Sequence, residues 1–199
     1  TYSTAHHFAS WHAMINDDFP AAMEHLRVAL GYAPDALELQ TTLGILHARQ
    51  GDGEQGVRHL AEVLELDPDF SFARYNLAHE LAAMDRHDEA LDHLATLSAV
   101  EPRESYAALT AYSAARAGDP RPARRFLDRI TGNRKTSHHY LRGYARLGLG
   151  ERAEALGELR AAIEHNEPWT ILLPLDAVFG QMRDDRAFRA LLPLAVGAR

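Results

Sequence analysis

The residues best suited to chemistry are twelve histidines and a run of arginines, and each set asks for a partner that the sequence must supply. His6-His7 and His138-His139 are adjacent pairs. Neighbours on a helix point about 100° apart, so neither pair converges on one metal ion through a single face. His79-Glu80 opens a zinc-protease-like string but is followed by Leu81, Ala82 and Ala83, with no second imidazole. There are no cysteines, which removes thiolate ligands, cysteine nucleophiles and disulfides together. Neither a metal nor a cofactor is therefore expected. A phosphate-cradling glycine loop and a G-x-S-x-G elbow are also missing, and the carboxylates fall mostly on exposed helical positions, so the chain is not expected to be an enzyme. Arg121, Arg125 and Arg129 follow one another at i, i+4 spacing, with Arg124, Arg134 and Lys135 nearby. A nucleic-acid surface would add interleaved aromatic rings, but the stretch offers only Phe126, on the other side of its helix. The stretch reads instead as a solvated helix face or a docking patch for an acidic partner, and nucleic acid is not expected on this fragment.

The charge pattern sharpens that reading. Net charge is −7, yet residues 1 to 102 carry 5 basic and 17 acidic side chains, while residues 103 to 160 carry 12 and 6. An acidic and a basic region on one chain predict weak self-association or capture of a charged partner. No run of about 18 apolar residues occurs, and no basic segment followed by an apolar stretch opens the chain, so neither a membrane span nor a signal peptide is expected. With no cysteine, a cytoplasmic protein is expected, or a periplasmic one if the chain belongs to a longer, membrane-anchored protein. It begins at Thr1 and enters directly into repeat pattern, which suggests a piece of something longer or a processed product.

The elements that position these residues are set by a period. Pro34, Pro68 and Pro102 stand 34 residues apart and divide the chain into units 3–36, 37–70 and 71–104, each reading as helix, tight turn, helix. First helices are expected at about Ser3 to Asn16, Leu37 to Arg49 and Ser71 to Met84. At the turns stand Asp17, Gly51 and Asp85, where the chain must leave the first helix through a left-handed conformation. Before each turn comes a pair, Ala9-Ser10, Leu43-Gly44 or Leu77-Ala78, whose small member lets the second helix cross closely. After it, Ala22, Gly56 and Ala90, then Leu26, Leu60 and Leu94, then Ala29, Val63 and Leu97 fall on one helical face. Gly118-Asp119, Ala123, Leu127 and Ile130 place a fourth unit at about 104–136. Gly150, Ala155, Leu159 and Ala162 place a fifth at about 136–167, with a looser connection expected around Gly132-Asn133. Such a unit buries its apolar face only by stacking on its neighbours.

Five units with matching turn and crossing positions over residues 1–167 resemble the tetratricopeptide repeat family. The resemblance implies an all-α, right-handed α-solenoid of about five helix pairs whose first helices line a concave groove used to bind peptides or partner domains. Segment 168–199 breaks the period. Its string Phe179, Met182, Arg183, Asp185, Phe188, Leu191, Leu192 reads as a short turn and an amphipathic capping helix from about Asp184. That string, and the opening Tyr2-x-Thr4-Ala5-His6-His7, look like tetratricopeptide arrays of bacterial signalling proteins, including transcription regulators and nucleotide cyclases.

Carried onto this sequence, the groove-facing positions of the family include His7, Trp11, Thr41, Ile45, Arg49, Phe72, Tyr75, His79, Tyr112, Arg116, Tyr140 and Tyr144. Six are Trp, Phe or Tyr, residues enriched where proteins grip one another. Asn76, Arg49 and Arg116 echo the family's clamp for acidic peptide ends, but that clamp also needs lysine and the groove has none. The expectation is a non-catalytic interaction module that holds a peptide or protein domain in an aromatic-lined groove. The alternative is a regulatory or self-association domain of a larger bacterial signalling protein whose effector domain is absent.

Overall fold

The computed structural model of this chain describes residues 2–131 and 138–197. Among the described residues there are twelve α-helices, one 3-10 segment and no strand, so the chain is all-α. The helices come in pairs: α1 (Tyr2–Ile15) and α2 (Phe19–Tyr32), α3 (Leu37–Arg49) and α4 (Gly53–Leu66), α5 (Ser71–Ala83) and α6 (His87–Val100), α7 (Glu104–Arg116) and α8 (Arg121–Thr131), α9 (His139–Gly148) and α10 (Arg152–Glu164). The expected first helices are recovered to within a residue at either end. Contacts divide the chain into two compact units, Thr1–Glu80 and Leu81–Arg199, with the boundary inside α5.

The turns follow from backbone chemistry. Asp17, Gly51, Asp85, Gly118 and Gly150 all have positive φ, at 63°, 98°, 59°, 101° and 77°, which only glycine, asparagine and aspartate adopt readily. Each is followed closely by a new helix. Asp18 accepts from the Ala21 amide at 3.1 Å and Asp52 from the Gln55 amide at 2.9 Å, satisfying donors that the first turn leaves unpaired.

In the first unit α1 packs on α2, α2 on α3 and α3 on α4. The core holds Met14, Leu26, Leu46 and Leu60, all nearly inaccessible. Close crossing of α3 and α4 depends on two glycines. A Cβ at Gly44 would lie 2.9 Å from Leu60 Cγ, and one at Gly56 would lie 2.8 Å from the Gly44 carbonyl oxygen and 2.7 Å from Ala48 Cβ. Leu43 is only half-buried, whereas Leu46, three residues on, is fully buried.

In the second unit α7 touches α6, α8 and α9, and α9 packs on α10. Gly148 allows α9 to meet α7, since a Cβ there would stand 2.8 Å from Tyr112 Cα. The looser connection expected at Gly132-Asn133 lies outside the described residues. Beyond α10, Pro168–Leu175 forms the 3-10 segment, followed by the short α11 (Ala177–Gly180) and α12 (Arg186–Ala195). The capping helix therefore starts two residues after Asp184, where Asp185 accepts from the Ala187 amide at 2.8 Å. Phe179, Met182, Phe188 and Leu191 of the C-terminal string are all buried, as a segment covering apolar surface requires.

Candidate functional site

The first-helix positions fall into two sets with different surroundings. In the first unit, His7 and Trp11 lie one turn apart on α1 and are half-buried. The Trp11 indole N–H donates to His7 Nε2 at 3.0 Å, and the Thr42 hydroxyl stands 2.8 Å from the same nitrogen. That nitrogen must be unprotonated to accept, and burial pushes the His7 imidazole below its ordinary pKa, with Glu38 opposing. Phe72 is 37% exposed and meets Phe70 edge-on at 6.2 Å. The ring of half-buried Tyr75 lies 6.1 Å from that of His79.

Several other positions of that unit do not face open space. Thr41 is fully buried, its hydroxyl bonded to the Leu37 carbonyl at 2.7 Å, and Ile45 is 3% exposed, so both belong to the core. The Arg49 guanidinium forms an ion pair with Glu80, with both side chains under one-tenth exposed. Glu80 neutralises it there. His79 is buried, and the Asn76 amide donates to the Phe72 carbonyl of its own helix at 2.7 Å.

In the second unit the three tyrosines expected to line an open groove are covered. Tyr112, Tyr140 and Tyr144 are 1%, 4% and 3% exposed. The cover is the chain's own C-terminal segment. Tyr140 donates to Asp176 Oδ2 at 2.7 Å and Tyr144 donates to the same oxygen, while the other oxygen of Asp176 caps α11 by accepting from the Phe179 amide at 3.0 Å. Phe179 stands 5.4 Å from the Tyr140 ring and 4.7 Å from the Tyr144 ring. It fits there because position 143 is glycine, whose missing Cβ would lie 3.1 Å from Phe179 Cζ. Gln181 donates to the Tyr112 hydroxyl at 2.8 Å. Burial raises the Tyr112 pKa and keeps the phenol neutral. Sequence reasoning placed the tyrosines on the right helices but missed Asp176 and Gln181, which no repeat period marks.

Two further polar clusters support this face. Glu167 accepts from the His139 and Tyr140 amides at 2.7 and 2.9 Å, capping α9 from beyond α10. Asp85 takes hydrogen bonds from Arg116 at 3.1 Å and from His87 at 3.2 Å, and Arg116, first among causes, holds its pKa down. Arg116 is thereby engaged at the turn. His87 is buried, its ring 5.6 Å from Tyr112, and burial lowers its pKa.

The arginine patch is partly neutralised. Arg121 grips Asp119 at 2.8 and 2.9 Å and draws that carboxyl down to about 2, and Arg129 holds Glu104 at 2.6 and 2.7 Å. Arg124 and Arg125 point outward on α8, and Arg134 and Lys135 lie outside the described residues. Among the described residues no group of three or more histidines, aspartates and glutamates could hold a metal ion, and no helix is long and apolar enough to cross a membrane.

Residues 48–113 match the tetratricopeptide repeat. A peroxisomal targeting signal receptor from Eremothecium gossypii is 30% identical over 92 residues, 46% of this chain but only 16% of that protein's length. A tetratricopeptide repeat protein from Parabacteroides merdae superposes with a TM-score of 0.55 at 17% identity, covering 95% of this chain and 77% of its own. MamA from Desulfovibrio magneticus, residues 41 to the end, gives 0.56 at 17% identity over 84% and 97%. These matches do not bear out the likeness to arrays of bacterial regulators. Residues 48–113 thus match the tetratricopeptide repeat, and the solved structures share the all-α fold of repeated helix pairs seen along this chain.

Proposed function

We propose that the chain is a non-catalytic protein-interaction module whose first-helix faces hold a peptide or a partner domain. The observation that carries this reading is the surface of the first unit: Trp11 and His7 on α1 and Phe72 and Tyr75 on α5 keep apolar rings with polar ends at least partly accessible. Such side chains give contact area at low entropic cost, and a stiff helix stack holds them in place before a partner arrives. The peroxisomal targeting signal receptor and the repeat proteins of similar fold support the same reading by kinship of fold and sequence.

The test starts from a partner cross-linked to the full chain and identified by mass spectrometry, and then measured by titration calorimetry. Replacing Trp11 or Tyr75 by alanine should weaken that complex by more than about 1 kcal/mol each, about fivefold or more. If only substitutions on second helices weaken it, the reading fails.

A further inference from the structure

The C-terminal segment lies on α7 and α9 of the second unit in the manner of a bound peptide. The face it covers is chemically specific. Two phenol donors, from Tyr140 and Tyr144, converge on one carboxylate oxygen of Asp176, and a glycine at position 143 leaves room for the ring of Phe179. A third phenol, Tyr112, accepts from Gln181. A buried carboxylate is costly unless it is hydrogen-bonded, and here its two oxygens receive three donors. The face is thus matched to an acidic residue that begins a helical turn, an aromatic residue three positions later, and an amide two positions beyond that. An aliphatic segment of equal volume would offer neither phenol a carboxylate.

We propose that this face is a peptide-binding site, occupied within the chain by residues 176–181, and that it accepts in trans a peptide of the same chemistry: a helical turn opened by aspartate with phenylalanine three residues on. This extends the reading of first-helix faces as partner sites and rests on it. The resident segment is a tethered competitor, so a free peptide gains the site only in the fraction of molecules whose segment has lifted away.

The experiment uses the full chain and a fluorescein-labelled peptide, Pro-Leu-Asp-Ala-Val-Phe-Gly-Gln-Met-Arg, read by fluorescence anisotropy beside a scrambled control. A variant with Asp176→Ala and Phe179→Ala releases the resident segment and should bind the peptide about tenfold or more tighter than the wild type does. Adding Tyr140→Phe and Tyr144→Phe to that variant should weaken binding about fivefold or more, since the paired donors are lost. A folded variant that binds no better than wild type, or a peptide that binds no better than its scramble, overturns the proposal. Should the variant lose its helical circular dichroism, the wild type decides: excess peptide should speed hydrogen exchange of the amides at 177–182, and unchanged exchange overturns the proposal. Because the partner test above uses Trp11 and Tyr75 of the first unit, failure of that reading and failure of this one are told apart.

Discussion

Tyr144 shows how one residue changes meaning between sequence and structure. Its helical position marks it as a groove anchor, yet it is 3% exposed and its hydroxyl is bound by Asp176. Tyr144→Ala should therefore lower stability by about 3 kcal/mol or more, leaving a cavity beside Phe179 and one fewer donor on a buried carboxylate, as urea titration would register. A variant as stable as the wild type would mean that the segment does not seal this face. Histidines set a second expectation. His7, His59 and His87 all have pKa values lowered chiefly by burial, below the ordinary 6.5. His87 adds a reason of its own, because among the described residues its Nδ1 is buried without a hydrogen-bond partner. As pH falls, the unfolded chain takes up these protons first. Their contribution is complete above about pH 6.5 and is lost as pH falls through the lowered folded values, so melting temperature should drop between about pH 7 and pH 5. The carboxylates of Asp85, Glu104 and Asp119, held low by arginines, lose their contribution in a separate window below about pH 4. His87→Gln should flatten the upper part of the profile, and an unaltered slope would remove His87 from the explanation.

At the scale of the element, glycines separate into those that allow a crossing and those that do not. Gly56→Val should cost about 1–3 kcal/mol because its side chain would enter the backbone of α3, whereas Gly157→Ala, with open space around the added carbon, should gain about 0.5–1 kcal/mol of helix propensity. Equal effects in chemical denaturation would contradict the close approach of α3 and α4. The helix pairs were legible because a repeat states each requirement several times: Asp17, Gly51 and Asp85 recur at one phase, and each needs a left-handed backbone. The covering of the tyrosines was not legible. Asp176 acts at 36 and 32 residues from its two phenols, once only, and a solitary aspartate in a non-periodic segment gives no signal apart from its cap spacing to Phe179. Family positions reveal which way a first helix faces, but not whether the chain already fills that face.

For the whole molecule, charge sets the expectation. With Arg121 and Arg129 satisfied by Asp119 and Glu104, the outward cations of α8 are Arg124 and Arg125. Weak association between copies should therefore appear at low salt and vanish towards 1 M, as the screening length falls from about 10 Å to about 3 Å. An Arg124→Glu, Arg125→Glu variant should stay folded and lose the associated species in sedimentation velocity, and a wild type that is monomeric at every salt concentration would refute this expectation. The cap on α9 bears on how the chain is made. Asp18 and Asp52 cap α2 and α4 from the preceding residue, so these helices can close as soon as they leave the ribosome. His138 provides no such bond, and the first amides of α9 wait for Glu167, 28 residues further along. Synthesis proceeds from the N-terminus, so the early hairpins can set while the last pair stays incomplete until α10 and the acid beyond it have emerged. A nascent chain halted before residue 167 would carry a frayed α9, with Tyr140 and Tyr144 still lacking the Asp176 carboxylate and the Phe179 ring that cover them.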